Sequence, residues 1–178
     1  MLYDQNQDPI EDQLPCKGSP LDIMTITTYN QGVQSNRFGY VRTGNNCENN
    51  TKGRHEGIDL QAAINTPVHS VSSGYLSLKG YNTDGWGHYV VIRSGNLHYL
   101  YGHLAEDSPL EWNIPITVNQ VIGHSGESET VGKPHLHFEV RENTGGPRTS
   151  YNDMVKKDPE DYLSSHFDGA GDYTGDDC

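Results

Sequence analysis

Two stretches of this chain carry side chains able to grip one metal ion between them. In Arg54 to Ala62 (RHEGIDLQA) an imidazole, His55, and a carboxylate, Asp59, stand four positions apart. A helix would align them on one face, but Gly57 and the β-branched Ile58 disfavour a helix there, so a bend leading into a strand fits better. In Pro134 to Val140 (PHLHFEV) strand alternation sends His135, His137 and Glu139 to one face and Leu136, Phe138 and Val140 to the other. The apolar face fixes the strand, so the two imidazoles are presented rigidly, and Pro134 is tolerated at a strand's first residue. Either stretch alone also fits ordinary surface residues; their conjunction carries the reading. Two neutral imidazoles and one carboxylate form a three-ligand zinc site with a coordination position left for water, as a hydrolytic centre requires. A dication against one carboxylate leaves the site net positive, which favours hydroxide and stabilises the oxyanion of amide attack. A further imidazole, His103 in Tyr99 to Leu104 (YLYGHL), follows Gly102, which allows a bend turning the ring toward the same place.

Strands must position these residues. From Gln31 to Leu163 short β-branched and aromatic runs alternate with Gly, Asn, Asp and Ser clusters, the pattern of an antiparallel, mainly β domain. The clearest hairpin joins Tyr89–Arg93 to Leu97–Tyr101 through a three-residue turn at Ser94, Gly95 and Asn96. Residues 1–30 read as an N-terminal extension, polar and interrupted by Pro9, Pro15 and Pro20, with only Asp22 to Tyr29 (DIMTITTY) strand-like. Residues 164–178 read as a flexible acidic tail. Length fits one catalytic domain, residues 31–163, with extensions.

Charge and composition exclude several functions. A formal charge of -12 from 24 acidic and 12 basic residues would repel a nucleic-acid backbone. No run approaches the roughly 18 apolar residues of a membrane span. The opening MLYDQNQDPIEDQ lacks the charge and apolar core of an export signal, which leaves either a cleaved leader or another route out of the cell. Cys16, Cys47 and Cys178 lack the close pairing of a structural zinc site; a Cys16–Cys47 disulfide and three ordinary thiols both remain open. His69, His88, His98, His124 and His166 fall outside the motifs and read as structural or exposed. Tyr81, Trp86 and Trp112 are candidates for substrate contact, with a packing or surface role the preferred reading, and Glu139 reads as a group that orients a ligand.

His55-Glu56-Gly57-Ile58-Asp59, Tyr101-Gly102-His103-Leu104 and His135-Leu136-His137-Phe138-Glu139 resemble, in order and spacing, the three motifs of the lysostaphin and LytM family of zinc peptidases. Softer matches are Asn36 to Tyr40 (NRFGY), Asn65 to Gly74 (NTPVHSVSSG) and Val121 to Gly126 (VIGHSG), so the resemblance covers about residues 35 to 163. It implies one zinc ion held by His55, Asp59 and His137, with His103 and His135 as catalytic histidines acting on the nucleophilic water and the developing oxyanion. It also implies an antiparallel β-sheet fold with a narrow loop-walled groove. The implied activity is a zinc endopeptidase of bacterial peptidoglycan stems or cross-bridges, exported to the cell-wall compartment. The alternative is a non-cutting wall-binding or hydrolase-activating module of the same fold, since some members have lost ligands; all five positions are present here. A zinc peptidase of the D-Ala-D-Ala type is disfavoured by the three-residue gap between His55 and Asp59.

Overall fold

The computed structural model describes residues 18–29, 32–39, 54–83 and 85–163. The three cysteines, His166, the polar loop 42–53 and the tail 164–178 lie outside the described residues. Among the described residues nine strands follow one another: β1 (Ile58–Gln61), β2 (Pro67–His69), β3 (Gly74–Asn82), β4 (Gly87–Ser94), β5 (Leu97–Leu104), β6 (Pro115–Ile116), β7 (Val121–His124), β8 (His135–Glu142) and β9 (Val155–Lys157). The only helical pieces among the described residues are three short 3-10 turns, and none is long and apolar enough to cross a membrane. The fold is mainly antiparallel β.

Seven strands form one sheet in the order β1-β8-β5-β4-β3-β6, with β9 also pairing β8; β2 and β7 form a separate two-stranded sheet. Every pairing is antiparallel. The hairpin between β4 and β5 lies where the sequence places it, but Ser94 pairs directly with Leu97, so the turn has two residues rather than three. Gly95, at φ 59, fills its first position, where a positive φ matches the twist of the flanking strands.

On β8, Leu136, Phe138 and Val140 enter the main core beside Ile58 and Leu60 of β1 and Tyr99 and Tyr101 of β5. The opposite face, carrying His135, His137, Glu139 and Arg141, is buried as well. A strand apolar on one side and polar on the other, yet covered on both, needs a partner for every polar group on the second side.

The segment read as an extension contributes to this frame. Leu21, Met24 and Ile26 are buried in the main core, and Ile26 bridges Leu60 across the free edge of β1. Thr27 N–H donates to the Asp59 carbonyl at 3.0 Å and Gln61 N–H to the Thr25 carbonyl at 2.8 Å, so this short piece pairs with the strand that bears Asp59. The buried Asn36 side chain then donates to the carbonyls of Thr27, Tyr29 and Gly32 and fixes the turn that follows.

Replacing Ile26, which is 1% exposed, by Ala should therefore cost about 2–5 kcal/mol of stability. Urea unfolding of the variant measures this, and an unchanged midpoint would mean that the segment is not part of the cooperative core.

Candidate metal centre

The register of two strands creates the site. Asp59 on β1 stands directly opposite His137 on β8, and Gly102 on β5 faces His137 from the other side. Gly57 lets the chain pass under β8 before β1 begins: a Cβ there would lie 2.3 Å from the Phe138 carbonyl oxygen and 3.0 Å from His137 Cε1. This close approach explains a glycine between His55 and Asp59 and brings His55 onto the same face.

The three candidate ligands meet at their tips. His55 Nε2 lies 3.2 Å from His137 Nδ1 and 3.1 Å from Asp59 Oδ1, and His137 Nδ1 lies 2.8 Å from Asp59 Oδ1. Hydrogen bonds on the far side of each ring settle which nitrogens carry protons. His55 Nδ1 is 2.9 Å from the Arg37 carbonyl, which only accepts, so this nitrogen donates and Nε2 keeps its lone pair. His137 Nε2 is 3.0 Å from Glu139 Oε1, so it donates there and Nδ1 is the nitrogen left for the cluster. Two nitrogen lone pairs and a carboxylate oxygen thus converge in a buried place, an arrangement that only a cation between them makes favourable. Zinc bonds of about 2.0–2.2 Å at tetrahedral angles set ligand atoms about 3.3 Å apart, close to the observed triangle. Among the described residues, His55, Asp59 and His137 are the group of side chains able to hold a metal ion.

His103 and His135 stand beside this triangle with ring centroids 4.5 Å apart. His103 reaches it through a bulge. β5 carries one residue more than β4 between the pairs His88–Leu104 and Val90–Tyr101, and His103 itself, not Gly102, takes the left-handed φ of 56. Tyr101 and Leu104 stay in the core while His103 turns to the ligand face. Its backbone is pinned on both sides, N–H to the Trp86 carbonyl and carbonyl to Gly126 N–H, each at 2.7 Å. His103 Nδ1 donates to the Ser128 carbonyl at 2.8 Å, and His135 Nδ1 donates to the Lys133 carbonyl at 2.7 Å. Each ring therefore keeps Nε2 as an acceptor. Burial, followed by the charge on His137 and His135, pushes His103 down to about 3; burial also lowers His135. Both are neutral bases at physiological pH. With Trp86 and Thr130 they line a groove of about 280 Å³ over the ligand triangle.

Behind His137 runs a line of charges that starts at the buried Glu139 and Arg141. Glu139 Oε2 accepts from Arg141 Nε at 2.8 Å and from the Tyr151 hydroxyl at 3.1 Å, while Oε1 accepts from Trp86 Nε1 at 2.9 Å as well as from His137. Arg141 also holds Glu56 at 2.8 Å, and Lys156 closes the line on Glu56 at 2.8 Å. Burial alone would raise Glu139, but His137 and Arg141 overcome it and hold the carboxyl at about 2. Asp59 is likewise held well below the usual range, burial being outweighed by His55 and His137. Sequence patterning anticipated Glu139 but missed Arg141, although it continues the alternation 135, 137, 139. Trp86, read from the sequence as a packing or surface aromatic with substrate contact as the alternative, lies in this network and on the groove. His88 pairs with Asp107, His69 with Asp22, and His98 is buried beside Tyr151; His124 is exposed; none joins the ligand triangle.

Comparison with known proteins accords with this geometry. A family model described as peptidase family M23 matches residues 53–149, more than half of the 178-residue chain. The chain belongs to peptidase family M23. It is 39% identical over 90 residues to a DD-carboxypeptidase/endopeptidase Mpg of Neisseria meningitidis, covering 50% of this chain and 20% of that protein. To lysostaphin of Staphylococcus simulans it is 30% identical over 119 residues, covering 64% of this chain and 22% of that one. The chain thus spans about a fifth of the length of these curated relatives. The catalytic domain of lysostaphin superposes with a TM-score of 0.58 at 26% identity over 73% of this chain and 90% of that domain. The catalytic domain of a point mutant of the prophage-encoded M23 protein EnpA from Enterococcus faecalis gives 0.58 at 25% identity over 82% and 94%. The mainly β fold expected from the sequence is the fold of these catalytic domains.

Without a metal the cluster takes up a proton instead. Burial opposes a charge on His137, but hydrogen bonds to Asp59 and Glu139 prevail and raise it from 6.5 to about 9. A raised value means that the protonated ring stabilises the metal-free fold fully below pH 6.5 and that this contribution fades as pH climbs to about 9. A cation entering at pH 7 must displace that proton. Calorimetric titration of the metal-free protein with zinc, in buffers of different protonation enthalpy, should show about one proton released per ion at pH 7 and little above pH 9. Proton-neutral binding at pH 7 would show that His137 is not the bridging acid.

Proposed function

We propose that this chain is a zinc-dependent endopeptidase that hydrolyses amide bonds in the peptide stems or cross-bridges of bacterial peptidoglycan, with His55, Asp59 and His137 as metal ligands and His103 and His135 as catalytic histidines. One observation carries the reading: three acceptor atoms within 3.2 Å of one another, with two neutral imidazoles beside them on an open groove. Zinc bound there supplies a Lewis acid that lowers the pKa of water and polarises a carbonyl oxygen.

The chain's own residues do the rest. His103 and His135 are held by backbone carbonyls at Nδ1, so each offers Nε2 as a proton acceptor toward the groove. One of them takes the proton of the water that attacks the scissile carbonyl carbon. The imidazolium so formed returns the proton to the leaving amine as the C–N bond breaks. The second ring, a neutral acceptor at Nε2, orients the attacking water. Asp59 Oδ1 lies 3.6 Å from His135 Nε2, which favours a proton arriving on that ring. The resemblance over 87 residues, at 34% identity, to a peptidoglycan DD-endopeptidase of Vibrio cholerae supports peptidoglycan as substrate, and with it an exported site of action.

His55→Ala and His137→Ala should lose both bound zinc and hydrolysis, measured by metal analysis and by dye release from labelled cell walls. His103→Ala and His135→Ala should keep the metal and lose about 10²–10⁴-fold in turnover. Mass spectrometry of the released muropeptides identifies the bond cut. A protein that binds zinc and walls without releasing dye would instead be a binding or activating module.

A further inference from the structure

Trp86 touches the site at both ends. Its indole Nε1–H donates to Glu139 Oε1 at 2.9 Å, the same oxygen that accepts from His137 Nε2 at 3.0 Å. Its backbone carbonyl accepts from His103 N–H at 2.7 Å, at the residue whose φ of 56 turns the ring out of the strand alternation. The indole is itself fixed, with ring centroids 5.4 Å from Tyr89 and 5.7 Å from Tyr151, and the Arg141 guanidinium 5.7 Å from its face. It also lines the groove. A plain packing role needs none of this polar geometry. The other tryptophan, Trp112, is 52% exposed and shows what an indole without it looks like here.

Glu139 has two oxygens with different tasks. Arg141 and Tyr151 hold Oε2, which leaves the carboxylate free to rock about that anchor unless something fixes Oε1. His137 cannot do so, because it is the group to be oriented. Trp86 supplies the independent donor, on a side chain with only two rotatable bonds and a packed ring.

We infer that Trp86 is a positioning residue of the metal centre: its indole N–H locks Glu139 Oε1 so that His137 Nε2–H is held and Nδ1 stays aimed at the ligand triangle. The inference rests on His137 being a ligand, as proposed above. Outer partners of this kind set metal affinity because they fix the ring's tautomer and direction, and losing one typically costs about 10–100-fold.

Two measurements test it. In Trp86→Phe, which keeps the ring and the backbone carbonyl and removes the N–H, zinc affinity measured against a competing chelator should fall about 10-fold. Tyr151→Phe removes a neutral donor from the same carboxylate but from Oε2, and should change affinity less. Equal losses in the two variants, or wild-type affinity in Trp86→Phe, would overturn the role. The chain has two tryptophans, so a protein with ¹⁵N-labelled indoles gives two resolvable N–H resonances without any substitution. On titration with zinc the Trp86 resonance should shift in step with metal uptake while that of Trp112 stays put; a Trp86 signal indifferent to zinc also overturns the inference. His137→Ala separates the two levels. If it abolishes zinc binding while Trp86→Phe binds normally, only the positioning role fails, whereas if it too binds zinc as wild type, the ligand assignment falls and the positioning role with it.

Discussion

Three atoms that repel one another are held together at the centre of this protein. Two imidazole lone pairs and a carboxylate oxygen sit within 3.2 Å of each other, in surroundings too dry to screen them. Nothing local favours this; the strands impose it. The cross-strand register of Asp59 with His137 sets one contact. The absence of a side chain at Gly57, where the chain lies against the β8 backbone, sets the others. Each candidate ligand is then fixed from behind, His55 by the Arg37 carbonyl and His137 by Glu139. The strain is relieved only by positive charge, either a proton on His137 or a metal cation.

The cost of that arrangement extends well beyond the triangle. Glu139 and Arg141 are 1% exposed, and a buried charge left alone would destabilise the fold by several kcal/mol. Each is therefore paired: Glu139 with Arg141, and Arg141 with Glu56, which Lys156 meets at a more exposed point. Opposite charges alternate outward from the candidate metal site. β9 owes its place partly to this line, since it brings Lys156 opposite Arg141. The ring of Tyr151 packs against it, with the Arg141 guanidinium 4.2 Å from its centroid. Rigidity follows, because no member can move without stranding another.

Access to the centre is set by the loop that follows β7. Gly126 and Ser128 hold His103, by its carbonyl and its ring. The Ser128 hydroxyl donates to the Leu104 carbonyl and accepts from His88 N–H, tying the loop down to β4 and β5. At the loop's tip Val131 is 87% exposed. One side of the groove thus combines a stitched base, which fixes the His103 ring, with an exposed rim.

The residue types, their order and the alternation in Pro134 to Val140 determined the chemistry: which imidazoles and which carboxylate could share a cation, and that strands would present them. The β class was legible for the same reason, since period-two patterning is a local property of the chain. What the tertiary structure decided lies in relations between distant segments. Cross-strand register made neighbours of Asp59 and His137, the bulge at His103 defied simple alternation, and the pairing of Thr25 to Thr27 with β1 drew the strand-like part of the N-terminal segment into the core. Arg141, Glu56 and Trp86 looked ordinary in sequence because a charge or an indole gains its role from the group it faces, and that group comes from another strand.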